Sequence, residues 1–356
     1  MEINPIWFDS MGAKSMCTRV ETKDTSILID PGAAEMQPSY SMSDSEKFAY
    51  RQEAREAIQR QGENSEHVVI THYHYDHHFL PDFSGFDFES MLGGGSLWIK
   101  DPNRWINNSQ WDRSRVFLRA VCETFDGERY EDLKTEPEQK NFEDPVPELG
   151  HAMGKDFGDY QGRREELLDK WSERFESWVD NWRSKNWVRE PDLSVPVHFA
   201  DGLEFEEGET KVEFSPPLFH GIEYSQTGWV TAVKITDRNG FTFLYTSDLQ
   251  GPTIEDQADW IIEVDPDFLI LDGPATYLYG FMLNKTNLKR SVDNAVRILR
   301  EADVKTFIYD HHLLREKKYR ERTEKFWKAA EEKETEVGTA AELRGERPVI
   351  LQKTEE

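Results

Sequence analysis

Short apolar runs separated by polar turns open the chain. Ile6-Trp7-Phe8, Met16 to Glu21 and Ser26-Ile27-Leu28-Ile29 read as strands, with Gly12 and a polar turn at Lys23-Asp24 between them. Asp30-Pro31-Gly32 follows at once, and a proline and glycine after a buried strand force a sharp exit. The period then changes. Ser43-Asp44-Ser45-Glu46 is a capping box, and Phe48, Tyr50, Ala54, Ala57 and Ile58 give Ser43 to Arg60 one partly apolar helical face. Gly62 leads into the buried strand Val68-Val69-Ile70, completing a strand, helix, strand unit.

Residues 101–194 differ from their surroundings: charged, rich in tryptophan and helical in pattern, with a proline-containing loop from Lys134 to Gly162. Trp171, Phe175, Trp178 and Trp182 form a helical stripe that buries one face against the domain or a second subunit; an aromatic substrate cover is the alternative. The stretch reads as an insertion within a single domain spanning 1–356. Gly93-Gly94-Gly95-Ser96 reads as a flexible turn, because no Lys-Ser/Thr follows it to make a phosphate cradle. Ile106-Asn107-Asn108-Ser109-Gln110 is a polar cluster facing the cleft.

Strands resume at Val212-Glu213-Phe214. Gly228 to Ile235 and Phe241 to Thr246 form a hairpin about Asp237-Arg238-Asn239-Gly240. Asp267 to Asp272 is a further strand, Ser291 to Ala302 a helix, Lys305 to Asp310 a strand, and Lys318 to Lys333 a charged helix of mixed sign. The two halves look like similar β-rich units with helices outside.

Composition narrows the class. Hydrophobic residues make up 37% of 356, enough for a large core, and the net charge of −26 disfavours an extended basic face for nucleic acid. Cys17 and Cys122 are the only cysteines, which excludes a disulfide framework and a cysteine-ligated zinc module. The start has no secretory pattern and no apolar run spans a bilayer, so the expectation is a cytoplasmic protein with no membrane partner.

The chemistry concentrates after the buried strand Val68-Val69-Ile70, in Thr71-His72-Tyr73-His74-Tyr75-Asp76-His77-His78. Four of the 10 histidines crowd here with a carboxylate. Such a cluster must be solvated, paired or ligated, and a metal site is the economical solution. If the strand continues, alternation sends His72, His74 and Asp76 to one side; a turn into a helix brings His77 round to join them. His220, Asp248 and His311 or His312 each fall at or just after a predicted strand end in the same sense. His311 is favoured as the last donor because the first residue past a strand is the better fixed. His67, His151 and His198 have no such frame. Asp272 could accept a hydrogen bond from a ligand imidazole or simply cap its strand. Nitrogen and oxygen donors without thiolate suit zinc, with manganese or iron as alternatives.

The spacing His-x-His-x-Asp-His resembles the metal-binding motif of the metallo-β-lactamase superfamily. On that resemblance, two divalent cations are held: one by His72, His74 and His220, the other by Asp76, His77 and the late histidine, with Asp248 bridging. Asp30 resembles the aspartate that supports the metal loop from behind. Phe8-Asp9-Ser10, Asp30-Pro31-Gly32, Ile106 to Gln110, Thr246 to Pro252, Leu271-Asp272-Gly273-Pro274 and Asp310-His311-His312 together resemble an uncharacterised, mainly archaeal family of predicted metallo-hydrolases. The resemblance implies an α/β (α+β) fold, an αββα sandwich carrying a helical insertion. It implies hydroxide attack on an ester, thioester or phosphodiester, with Asp76 orienting or deprotonating the water. A nuclease would need a basic path to the metals; none stands out in the sequence, which favours a small or short substrate. Di-iron redox chemistry is disfavoured because His74 occupies the station of a glutamate in the diiron flavoproteins, and an intact ligand set counts against a non-catalytic binding module.

Overall fold

A computed structural model describes residues 1–352. Glu2–Phe8 (β1), Met16–Glu21 (β2) and Ser26–Ile29 (β3) form an antiparallel meander, then Asp44–Gly62 (α1) crosses to Ser65–Ile70 (β4), parallel to β3, and Leu92–Ile99 (β5) continues the sheet. Ser43 caps α1 by the reciprocal bonds its sequence predicted. Asn108–Thr124 (α2), the pair Lys134–Thr135 (β6) and Trp187–Val188 (β7), Gly150–Gly154 (α3) and Gln161–Ser184 (α4) intervene before Val197–Phe199 (β8) closes the first sheet beside β5.

The second sheet begins with Glu204–Glu207 (β9) and Thr210–Phe214 (β10). Leu218–Phe219 (β11) and Trp229–Val230 (β12) make a separate small ladder, and Val233–Thr236 (β13) and Thr242–Tyr245 (β14) return to the sheet. Glu255–Val264 (α5), Phe268–Asp272 (β15), Lys285–Glu301 (α6) and Thr306–Asp310 (β16) follow as parallel crossovers. Tyr319–Arg322 (α7), Glu324–Glu331 (α8), Glu336–Gly338 (β17), Ala340–Leu343 (α9) and Val349–Gln352 (α10) end the described chain. Sheet orders are β1-β2-β3-β4-β5-β8 and β17-β16-β15-β14-β13-β10-β9. Each sheet is parallel on one side and antiparallel on the other.

Side-chain alternation assembles the layers. In β4, Val68 and Ile70 point outward to Ala54 and Ile58 of α1, while Val69 joins the core between the sheets. In β15, Leu269 and Leu271 pack outward under α5 and α6 and Ile270 turns inward to the same central core. Runs buried on both faces are continuously apolar, as parallel central strands require. The result is an αββα sandwich.

Four local expectations need correction. Gly93-Gly94-Gly95 is part of β5, not a free turn: a Cβ on Gly95 would lie 1.5 Å from the Glu66 carbonyl oxygen, so glycine there permits close strand approach beside a register shift. The expected strand from Gly228 breaks at Thr231, whose amide bonds to the Thr71 carbonyl at 3.1 Å, tying the second half to the histidine loop. The tail helix is interrupted at Thr323, and the helix expected from Ser291 starts at Lys285 because Asn284 caps it by accepting from the Asn287 amide.

The tryptophan stripe is buried. Trp171, Phe175, Trp178 and Trp182 of α4 pack with Ile106, Trp111, Phe219, Trp229 and Ile254, so the insertion shares its core with β11, β12 and the start of α5. No helix among the described residues is long and apolar enough to cross a membrane.

Candidate metal centre

Three chain reversals at strand ends place non-glycine residues in left-handed backbone: Asp30 after β3 (φ 50°), Ser247 after β14 (φ 54°) and His311 after β16 (φ 61°). L-residues pay about 1 kcal/mol or more for this conformation, and such strain clusters where a site needs side chains aimed abruptly. Each reversal lies at the carboxyl ends of the parallel strands, and each delivers a residue to one cleft.

The segment after β4 leaves strand geometry at Thr71 and coils tightly, with the His77 amide bonding back to the His74 carbonyl at 2.9 Å. That coil brings His72, His74 and His77 to one side. Gly32 permits it, since a Cβ there would sit 2.0 Å from the His78 nitrogen.

Asp248 is the hub. Its Oδ2 lies 3.1 Å from His220 Nε2 and 3.4 Å from His72 Nε2; its Oδ1 lies 3.0 Å from His77 Nε2 and 3.3 Å from His311 Nε2. His72, His74, His220 and Asp248 offer one set of donor atoms within 4.8 Å of one another, and Asp76, His77 and His311 offer a second. All seven side chains named from the sequence as ligands therefore meet at one mouth of the sandwich. His312 is close to the same hub but turns its Nδ1 to Asp272, at 3.0 and 3.1 Å from the two carboxylate oxygens.

The arrangement suits cations for a specific reason. Nε2 of His72, His77 and His220 and both oxygens of Asp248 are buried without a hydrogen-bond partner. Lone pairs facing lone pairs at this range repel unless a positive charge sits between them. A proton can do so only in part. Burial pulls His77 down, but the carboxylates of Asp248 and Asp30 outweigh it and lift His77 to about 10. Burial pushes His72 down to about 4, leaving it a neutral donor.

Behind the donors, carboxylates hold the imidazoles. Asp30 Oδ2 lies 2.7 Å from His77 Nδ1, and Asp30 is fixed by the Thr71 amide and hydroxyl and the Tyr245 hydroxyl, which donate at 2.8, 2.6 and 2.8 Å. Asp9 Oδ1 lies 2.8 Å from His311 Nδ1, while Arg315 donates from Nε to Asp9 Oδ2 at 2.7 Å. Burial opposes the charge on Asp9, yet Arg315 and His311 hold its carboxyl well below the usual range. With Nδ1 of each ring turned to its carboxylate, Nε2 is the atom that faces Asp248. Burial and the nearby Asp248 charge lift Asp272 to about 7.

Sequence reasoning anticipated Asp30 and Asp272 and missed Asp9 and Arg315. The signal for Asp9 was faint, an aspartate directly after a strand. Arg315 also donates from Nη2 to Asp76 at 3.1 Å, so one side chain braces both a candidate ligand and the support behind another. The polar cluster Ile106 to Gln110 acts from outside the ring. Asn107 caps α2 and donates to the Gln226 carbonyl, and Gln110 donates to the Thr227 carbonyl, each at 2.8 Å, so together they clamp the loop that follows His220.

A sandwich of this topology with its donors at the carboxyl ends of the strands defines a metallo-β-lactamase-fold protein, and residues 12–79 match the model of the metallo-beta-lactamase superfamily. The chain belongs to the UPF0282 family. It is 30% identical to UPF0282 protein MK0213 of Methanopyrus kandleri, over 99% of this chain and 97% of the relative. It is 32% identical to a UPF0282 protein of Korarchaeum cryptofilum, over 96% and 89%. Among solved structures it is similar to a possible metal-dependent hydrolase from Veillonella parvula (12% identity, 92% and 94% covered, TM-score 0.40). It is likewise similar to an isothiocyanate hydrolase from Delia radicum gut bacteria (10% identity, 92% and 94% covered, TM-score 0.41).

Proposed function

We propose that this chain is a metal-dependent hydrolase that attacks an ester, thioester or phosphodiester with water at a dinuclear centre. The observation that carries the reading is the ring of buried, unpartnered donor atoms around Asp248. His72, His74 and His220 would hold one divalent cation, Asp76, His77 and His311 the other, with Asp248 between them. Donors without thiolate favour zinc, with manganese or iron as alternatives. When bound, a pair of such cations supplies an acidified water and neutralises charge that develops on the substrate.

The protein's own groups do the rest. Asp30 and Asp9 fix the tautomers of His77 and His311. Asp76 has a carboxylate oxygen near His311 Nε2, at 3.9 Å, and accepts from Arg315, a position from which it orients a water and takes its proton. His312, anchored through Nδ1 to Asp272 and kept neutral by burial and by the nearby Arg315 and His311, turns a bare Nε2 to the cleft, where it can accept a hydrogen bond from the water or the substrate.

The test is a panel of bis-nitrophenyl phosphate, thioester, lactone and carboxylic ester substrates, offered to metal-loaded and chelator-treated protein. Hydrolysis of at least one class, abolished by chelation and restored by metal, is expected. Turnover indifferent to chelation would refute the reading, as would activity undiminished in Asp248→Ala.

A further inference from the structure

The cleft above the ring is a cavity of about 670 Å³, within the range of small-molecule sites. Its charge is opposite to that of the molecule. The chain carries 69 acidic and 43 basic residues, yet the cavity is lined by Lys14, Arg113, Lys170, Arg174 and Arg315, with Asp76 as its one lining carboxylate among the described residues. Arg315 is committed to Asp9 and Asp76. The other four make no ion pair among the described residues. In so acidic a protein a cation finds a carboxylate easily, so four left without an ion pair around one cavity are an arrangement suited to an anion.

Their supports are built. Arg113 stands over the Tyr75 ring at 5.0 Å, and Arg174 donates to the Tyr224 carbonyl at 3.4 Å. Leu167, Lys170 and Arg174 share one face of α4, the flank of its tryptophan stripe. The insertion thus turns aromatic residues inward and cations to the cleft. Ile222, Leu278 and Met282 add apolar surface to the same cavity. Met282 is 69% exposed at its rim, beside Phe281 at 87%.

We propose that the substrate is a small amphiphilic organic anion, whose apolar part lies along Leu167, Ile222 and Met282. Its phosphate or carboxylate, a group other than the scissile bond, is received by Lys14, Arg113, Lys170 and Arg174. The proposal rests on the hydrolase reading for the location of the reacting centre. A polyanion is the poorer match, because outside this cavity the protein's net charge of −26 repels it.

Calorimetric titration of the full chain with phenyl phosphate, phenylacetate and neutral phenylacetamide tests this without turnover. One or both anions should bind at least about tenfold more tightly than the amide, the preferred anion identifying the phosphate or carboxylate class. Lys170→Gln combined with Arg174→Gln should erase that preference while metal content and circular dichroism stay unchanged. Lys14→Gln, on a separate element, should weaken it in the same direction. Equal binding of amide and anions would overturn the proposal, as would a preference that survives these substitutions, or a short RNA that displaces phenyl phosphate and binds more tightly. The two readings fail separately. A metal-free ring with the anion preference intact removes only the hydrolase; chelation-sensitive hydrolysis of neutral esters without any anion preference removes only the substrate class.

Discussion

The floor and the wall of the cleft are built on opposite plans. On the floor carboxylates hold three imidazoles from behind, His77 by Asp30, His311 by Asp9 and His312 by Asp272, and four Nε2 atoms converge on Asp248. On the wall Lys14, Lys170 and Arg174 make no ion pair among the described residues, and Arg113 leans on a tyrosine ring. The floor is rigid and charge-hungry by construction, whereas the wall spends no stability on holding its cations. A buttressed ring suits an ion that must be placed accurately, and an unpaired wall suits a ligand that comes and goes.

Floor and wall are fastened together by a buried ion network, and breaking it should have the largest effect on stability. Arg290 of α6 donates to Glu255 at 3.1 and 2.7 Å and to Glu223 at 3.2 Å, and Arg164 of α4 donates to Glu223 at 2.9 Å. Glu223 lies in the loop just past His220. Arg290→Met leaves Glu223 with Arg164 alone and Glu255 with Lys155 alone, and should cost about 3 kcal/mol in denaturant unfolding. A loss under about 1 kcal/mol would mean that water reaches the network.

The same network sets a pH dependence. Burial raises the Glu255 carboxyl, but Arg290 and Lys155 outweigh it and bring it from 4.5 down to about 2. A depressed carboxyl stabilises the fold above its unfolded value and loses that contribution as pH falls toward the folded one. The deficit of Glu255→Gln relative to the parent chain should therefore be full at neutral pH and shrink as thermal melts are taken below about 4.5. A deficit that grows on acidification would contradict the assignment.

Weakening the supports behind the floor comes next. Asp30→Asn and Asp9→Asn keep the shape but exchange the carboxylate, and each should lower metal affinity by about 10–100-fold in competition with a chromophoric chelator. The wall should be the least sensitive part. Lys170→Gln or Arg174→Gln should change unfolding free energy by no more than about 0.5 kcal/mol, since neither makes an ion pair among the described residues and Arg174 gives only a 3.4 Å contact to a carbonyl. A larger loss would mean that these cations hold the fold together and are not kept for a ligand.

The floor was legible in the sequence and the wall was not. His72 to His77 sit within one coil after one buried strand, so local spelling announced them, and the later donors were found because each follows a strand. Asp9 and Arg315 escaped because their importance lies in contacts with residues some 300 positions away, which no local pattern records. The cations of the wall come from the β1–β2 loop, α2 and α4, and no pattern within any one of these segments singles them out. The sequence accordingly showed no basic path, and only the packing of α4 against Trp229 turns Lys170 and Arg174 toward the ring. Gly95 misled for a related reason, since its role is set by the neighbouring strand.

The central claim is that donors from both halves of the chain clasp cations around Asp248. Elemental analysis of chelator-treated protein reloaded with zinc tests it most directly. The account predicts about two ions per chain, reduced to one or fewer by His220→Ala and by His77→Ala and lost in Asp248→Ala, with the fold retained. Stoichiometry unchanged across all three variants, or no metal retained by the parent chain, would contradict it.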